Sequence, residues 1–169
     1  MNECYNLRMN KDITTKVAIS GGGPAGIMLG YLLARSGVDV TVLEKWPDFF
    51  RDFRGDTIHP STMENLYELG ILDKFLTLHH SKTRQIEINI SGEPVIVADF
   101  SYLSLREPYI AFIPQWDFLN FITSEAKRFP SFHLMMNTEA TDLITDNDKV
   151  IGMKAKNAEG TFDIHAELS

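Results

Sequence analysis

The sequence predicts an α/β fold in which a parallel sheet with helical crossovers is followed by a small antiparallel meander. A β-branched run at residues 16–20 precedes a helix-like run, and a second β-branched run follows at 38–43. A third apolar run lies at 132–136, and short alternating segments occupy 140–167. Parallel strands need a crossover of helix length, and such crossovers are right-handed. We therefore expect the first three runs to lie parallel in one sheet.

The first helix is predicted over residues 24–36, with Gly37 as the residue after its C-cap. The next helix is expected behind Pro60, where Ser61 and Glu64 have the S-x-x-E pattern of a capping box. Gly70 is expected to end it.

A short third helix is predicted over residues 72–78. The strict alternation in residues 85–90 predicts a half-exposed strand that pairs through the turn SGEP with residues 95–100. Asp117 is expected to cap a last helix that ends near residue 129.

At 169 residues the chain has the length of one domain. We expect an N-terminal tail over 1–15 and a domain over 16–169, with an inserted hairpin at about 83–100 and the meander at about 138–167. The net charge of −7 argues against a nucleic-acid surface.

The single cysteine, Cys4, excludes an intrachain disulfide and favours a cytoplasmic location. The N-terminal residues lack the apolar segment of a signal peptide, and the longest apolar stretch, around 27–34, is too short to span a bilayer. We expect no membrane association.

The stretch GGGPAG between the first strand and the first helix fits the pattern G-x-G-x-x-G. Gly21 permits a tight turn, Gly23 lets a pyrophosphate approach the backbone, and Gly26 lets the helix lie close to the sheet. The helix N-terminus offers amide groups and a positive dipole end to phosphates. The pattern predicts a dinucleotide site, the alternative being a tight packing turn.

Glu44 ends the second strand 18 residues after Gly26 and could accept hydrogen bonds from ribose hydroxyls. Its charge disfavours a 2′-phosphate and therefore NADP in this site, which leaves NAD and FAD. The sequence shows no metal-ligand cluster and no catalytic triad or carboxylate pair, and Trp46 and Trp116 are interpreted as packing residues.

The glycine loop with its proline, and above all the run RGDTIHPST followed by L-x-x-L-G, resemble the group A FAD-dependent monooxygenases, the p-hydroxybenzoate hydroxylase-like family. The resemblance extends from about residue 16 to the end of the sequence. It implies a glutathione-reductase-type, Rossmann-like FAD-binding domain.

The resemblance also implies residue roles. Arg54 would lie beside the FAD pyrophosphate or ribityl chain, Gln115 of IPQWDFLNFI would reach the ribityl and phosphate region, and the backbone of Ala140 would contact adenine. The expected cofactor-binding set is Gly21, Gly23, Pro24, Ala25, Gly26, Glu44, Lys45, Arg54, Gly55, Asp56, Thr57, Gln115 and Ala140.

The implied function is the FAD-binding portion of a monooxygenase that uses NAD(P)H as a transient reductant and hydroxylates a small organic, aromatic or polyketide-like substrate. The family's later Asp-Gly and Gly-Asp motifs do not occur in this sequence. We therefore expect an incomplete domain whose partner could be the missing C-terminal half. We also expect the sheet to lack the strand that starts near Leu168, leaving an open edge.

Other functions remain open at this point. A halogenase or reductase of the same fold would share every motif found here. A non-catalytic nucleotide-binding module would fit the incomplete domain. A classical NAD dehydrogenase is least favoured, because the segment after Glu44 does not repeat the strand–helix–strand crossover.

Overall fold

The computed structural model describes residues 12–50 and 56–169, which fall into two compact units. The first unit comprises the chain up to Phe49 together with Ile122–Ser169, and the second comprises Phe50–Phe121. In chain order the elements are β1 (Ile13–Ser20), α1 (Pro24–Arg35), β2 (Val40–Leu43), β3 (Thr57–Ile58), α2 (Pro60–Glu68), α3 (Leu72–Phe75), β4 (Ser81–Thr83), β5 (Gln85–Ile90), β6 (Glu93–Asp99), β7 (Ile110–Phe112), α4 (Gln115–Ala126), β8 (Phe132–Met135), β9 (Glu139–Asp146), β10 (Lys149–Asn157) and β11 (Gly160–Leu168).

The first unit is built on a six-stranded sheet in the order β8-β2-β1-β11-β10-β9. β1 pairs in parallel with β2, and β2 pairs in parallel with β8. This confirms the three predicted parallel strands. The strand bounds differ slightly, since β1 already begins at Ile13 and β2 begins only at Val40.

The expectation that the sheet has an open edge is wrong for β1, because β11 pairs with it. The last meander strand, β11, runs to Leu168 and pairs in parallel with β1, with Ile13 opposite Ile164 and Val17 opposite Leu168. Its other edge pairs antiparallel with β10. One strand therefore belongs both to the meander and to the parallel sheet. It begins at Gly160 and ends at Leu168, whereas the sequence interpretation expected the neighbouring strand to start near Leu168.

Helix α1 packs closely on the sheet through Gly30. A Cβ atom on Gly30 would lie 2.8 Å from both Phe132 Cε2 and Val42 Cγ2. Both neighbouring side chains are buried. The glycine thus brings the helix axis closer to β2 and β8 than a larger residue would allow.

Two predicted helix starts are corrected by the structure. Pro60 is the first residue of α2 and His59 is its N-cap, so the Ser61–Glu64 pattern lies inside the helix and forms no capping box. Proline suits this first position because it lacks the N–H that would be left unbonded there. Helix α4 begins at Gln115, which places Asp117 in its first turn rather than at its cap.

The predicted ends of α1 and α2 agree with the structure better than the predicted helix starts do. Gly37 and Gly70 have positive φ values of 79° and 73°, as expected for residues that terminate α1 and α2. Helix α3 is shorter than predicted and ends at Phe75, and α4 ends at Ala126 rather than near residue 129.

The second unit contains a three-stranded sheet, β3-β7-β4, and a separate two-stranded ribbon, β5-β6. The ribbon has the predicted antiparallel pairing, but every residue of β5 is exposed. The expectation of a half-exposed strand is therefore wrong. Alternation predicts which side chains share a face, whereas burial also requires a second element to cover that face.

The close packing of α1 generates a stability prediction. We expect Gly30→Val to lower the free energy of unfolding by about 1–3 kcal/mol, the usual cost of overpacking a core. Leu29→Val is the matched control, because Leu29 is the neighbouring helix residue and is 47% exposed. Urea unfolding followed by circular dichroism measures both, and equal effects of the two substitutions would contradict the packing role of Gly30.

Candidate functional site

The glycine loop connects the carboxyl end of β1 to the start of α1. Gly21 has a φ of 105°, a conformation that glycine adopts without strain, and its N–H donates to the Leu43 carbonyl at 2.8 Å. Gly23 is the N-cap of α1 and Pro24 is its first residue. Among the described residues, no side chain caps this helix start. The loop therefore presents a helix N-terminus at the carboxyl edge of the parallel strands, where open α/β sheets bind their ligands.

The glycines of this loop have different physical roles. A Cβ atom on Gly26 would lie only 2.0 Å from the Gly21 carbonyl oxygen and 3.3 Å from Ile19 Cγ2, so the loop and the helix can close together only around glycine. A Cβ atom on Gly23 would meet nothing within 4 Å. The Gly26 position is needed for packing, while the Gly23 position borders open space large enough for a ligand to approach the backbone.

Glu44 directly follows β2, and its side chain bonds to the glycine loop. Its Oε2 accepts a hydrogen bond from the Gly22 N–H at 3.0 Å, and its Oε1 accepts one from the Trp46 N–H at 3.0 Å. The residue is only 8% exposed. Sequence reasoning assigned this carboxylate to a ligand and missed its bonds to the backbone, which no local pattern indicates.

The fourth glycine of the loop is explained by the same carboxylate. A Cβ atom on Gly22 would lie 2.9 Å from Glu44 Cβ and 3.1 Å from its Oε2. A side chain at this position would therefore push the carboxylate away from the Gly22 amide.

The two residues after Glu44 form an aromatic–cation pair. Lys45 Nζ lies 5.2 Å from the centre of the Trp46 ring, and the Trp46 carbonyl accepts a hydrogen bond from the Asn137 N–H at 3.0 Å. Trp46 is 48% exposed, so its interpretation as a packing residue is wrong. Trp116 does pack, with its ring centre 4.8 Å from that of Phe50.

Three of the predicted site residues come together within the second unit. Asp56 Oδ1 accepts a hydrogen bond from the Gln115 N–H at 3.3 Å, and the Asp56 carbonyl accepts one from the Ile113 N–H at 2.9 Å. Thr57 follows in β3, where it pairs with Phe112. These bonds join the start of β3 to the start of α4.

The remaining predicted site residues are located as follows. Arg54 and Gly55 lie outside the described residues. Ala140 is in β9, opposite Ala155 of β10, and packs against the apolar cluster of the first unit. The cofactor-binding roles of the whole set stay predictions.

Two ionisable groups with perturbed pKa values lie in the second unit. Hydrogen bonds from Ser101 and Gln85 lower the pKa of Asp99, and burial raises the pKa of the Tyr109 phenol. Within the described ranges, no group of His, Cys, Asp and Glu side chains could hold a metal ion, and no helix is long and apolar enough to cross a membrane.

The loop contains one glycine required for packing, Gly26, and one that faces open space, Gly23. We expect Gly26→Ala to lower the free energy of unfolding by about 1–3 kcal/mol, because the new Cβ would collide with a backbone carbonyl. Gly23→Ala should lower it by about 1 kcal/mol or less, because alanine is a poorer N-cap than glycine but its Cβ atom would meet nothing within 4 Å. Urea unfolding of both variants provides the measurement, and a larger loss for Gly23→Ala would contradict this division of roles.

Comparison with known proteins identifies the family. Residues 14–168 match the model of the FAD binding domain family. The chain is 28% identical over 141 residues to 6-methylpretetramide 4-monooxygenase of Streptomyces rimosus, covering 82% of this chain and 33% of that protein. It therefore spans about a third of this relative's length.

Solved structures show the same fold. Anhydrotetracycline hydroxylase OxyS from Streptomyces rimosus superposes with a TM-score of 0.79 at 27% identity, covering 92% of this chain and 31% of that one. The myxobacterial chondrochloren halogenase CndH superposes with a TM-score of 0.77 at 21% identity, covering 91% of this chain and 36% of that one. The chain belongs to the FAD binding domain family, as its resemblance to the FAD-dependent monooxygenases implied.

Proposed function

We propose that this chain is the FAD-binding portion of an NAD(P)H-dependent flavoprotein monooxygenase that acts on a small organic, aromatic or polyketide-like substrate. The observation that carries the proposal is the glycine loop, closed by Glu44 and open at Gly23, in a chain of the FAD binding domain family. Relatives named as monooxygenases support the reaction type.

The residues of the loop fit a dinucleotide. The backbone at Gly23 and the amides at the start of α1 would hold the pyrophosphate, because nothing stands within 4 Å of the Gly23 Cβ position and the helix dipole favours an anion. When bound, FAD supplies the reduction and oxygen chemistry, and the protein supplies binding and orientation.

Glu44 would serve the loop and the ligand at the same time. Glu44 accepts hydrogen bonds from the Gly22 and Trp46 amides, and a carboxylate oxygen can accept more than one hydrogen bond. As the carboxylate at the end of β2, it would also accept hydrogen bonds from the ribose hydroxyls of the adenosine end, and its charge would repel a 2′-phosphate. This favours FAD over NADP in this site, so that NAD(P)H would act only as a transient reductant.

The second unit contains Asp56, Thr57 and Gln115 of the predicted set. The bond between Asp56 and the Gln115 amide holds together two segments that the family resemblance assigns to the cofactor. Arg54 and Gly55 directly precede Asp56 in the chain and are proposed for the same task.

We further propose that the remaining part of a longer flavoprotein completes this domain. The chain spans about a third of its relatives' length, and one face of the β5-β6 ribbon exposes the paired apolar side chains Ile88 and Val95, which are 44% and 38% exposed. An exposed apolar patch of this kind is typical of an interaction surface. The cytoplasmic location expected from the single cysteine stays a prediction.

A FAD-dependent halogenase is the second candidate, because CndH has the same fold. The identity of 21% supports the fold alone. A reductase or a non-catalytic nucleotide-binding module would also contain the loop. Product analysis of the completed enzyme with and without chloride or bromide separates halogenation from hydroxylation.

The role of Glu44 gives a binding prediction. In the full-length enzyme, we expect Glu44→Ala to weaken FAD binding by about 1.5–3 kcal/mol, or roughly 10- to 150-fold, the scale of hydrogen bonds to a charged group. Glu159→Ala is the control, because it removes an exposed carboxylate from the turn between β10 and β11. Titration of FAD fluorescence measures both variants, and an unfolding experiment shows that the altered loop is still folded. Unchanged affinity in a folded Glu44→Ala variant would contradict the proposal.

The incompleteness of the domain gives a second prediction. The chain of residues 1–169 should hold FAD weakly or not at all and should not oxidise NADPH steadily, because the later family motifs that contact the ribitol side are absent from it. The loss of one charge-assisted hydrogen bond at about 1.5–3 kcal/mol already weakens binding about tenfold or more. Flavin absorbance after gel filtration and NADPH absorbance over time measure the two properties. One tightly bound FAD per chain with steady NADPH turnover would contradict the prediction.

A further inference from the structure

Trp46 is a large aromatic residue held at the edge of the sheet where the ligand is expected. It follows Glu44 at the carboxyl end of β2, and nearly half of its surface is exposed. A single exposed aromatic residue is common on protein surfaces and by itself indicates nothing. Its backbone attachment supplies the second observation.

The main chain of Trp46 is fixed from two sides. Its N–H donates to Glu44 Oε1 at 3.0 Å, and its carbonyl accepts from the Asn137 N–H at 3.0 Å. The other oxygen of the same carboxylate accepts from Gly22 of the glycine loop. One carboxylate therefore bonds to both Trp46 and the phosphate-facing loop, so the main chain of Trp46 is held beside the expected position of the adenosine ribose.

Lys45 gives the indole a charged neighbour. Its ammonium lies 5.2 Å from the ring centre, within the range of a cation–π interaction. An aromatic face beside a positive charge suits a nucleotide, since bases stack on aromatic rings and the attached phosphates are anionic. The Asn137 amide that holds Trp46 also lies three residues before Ala140, the residue whose backbone is expected near adenine.

We propose that the Trp46 indole, positioned by Glu44 and Lys45, is the surface on which the adenine ring of the dinucleotide stacks. The inference rests on the proposed FAD site and adds a specificity residue to it. It assigns recognition of the base to Trp46, of the ribose to Glu44 and of the phosphates to the glycine loop.

The chain contains two tryptophans, which allows a direct spectroscopic test. In a Trp116→Phe background, Trp46 is the single tryptophan, and Trp116 lies in the second unit against Phe50. We expect ADP to change the Trp46 emission with a saturable dependence on concentration. Inorganic pyrophosphate, which lacks the base, should leave the emission nearly unchanged. ADP is the probe because it has no flavin to quench tryptophan by itself.

Affinity measurements complete the test. Trp46→Leu should weaken ADP binding about tenfold by calorimetry, whereas Trp46→Phe, which keeps an aromatic face, should stay within about threefold of the unaltered chain. Saturable ADP binding with unchanged Trp46 emission, or equal affinities of the Leu and Phe variants, would overturn the inference. Absence of ADP binding at tens of millimolar would overturn it as well.

A parallel titration with FAD, followed by flavin fluorescence, distinguishes the stacking role of Trp46 from the proposed function of the chain. FAD binding that is equally strong in the Trp46→Leu variant would remove the stacking role and leave the proposed function standing. Absence of both ADP and FAD binding in the unaltered chain would overturn the stacking role and the proposed function, whereas absence of FAD binding alone is expected of an incomplete domain.

Discussion

The carboxylate of Glu44 is the group on which the geometry of the site depends. It accepts one hydrogen bond from the glycine loop and one from the residue two positions further along the chain. The Glu44 backbone is fixed as well, since its N–H donates to the Met135 carbonyl and its carbonyl accepts from the Thr138 amide, each at 2.9 Å. A nearly buried charge of this kind is stable only when it is hydrogen-bonded, and here the bonds shape the ligand edge of the sheet.

The glycine loop can take up this position because of steric constraints at its two ends. Gly21 adopts a positive φ as the chain leaves β1, and Gly26 brings α1 into contact with the Gly21 carbonyl oxygen. Between them the backbone at Gly23 faces open space. The arrangement places the start of a twelve-residue helix at the carboxyl edge of the sheet, where its dipole favours an anionic ligand.

Strand β1, which leads into this edge of the sheet, pairs on its second side with β11, a strand of the meander. Strand β11 is long enough to pair with β10 along one edge and with β1 along the other. Its alternating residues Phe162, Ile164 and Ala166 enter the apolar cluster that also contains Met153 and Ala155. The meander therefore forms part of the core of the first unit and stabilises the strand that leads into the glycine loop.

The sequence by itself determined the parallel strands, the glycine loop, the helix ends at Gly37 and Gly70, and the family, because each depends on local spacing or on residues with special backbone properties. It could not determine that Ser61 lies inside a helix, since proline at the first helical position and a capping box at Ser61 are both locally acceptable helix starts. It could not determine the exposure of β5, the double pairing of β11 or the exposure of Trp46. These features depend on which distant segment packs against each element, and only the tertiary structure decides that. The same holds for the bond between Glu44 and Gly22, which forms when two segments more than twenty residues apart meet at one edge of the sheet.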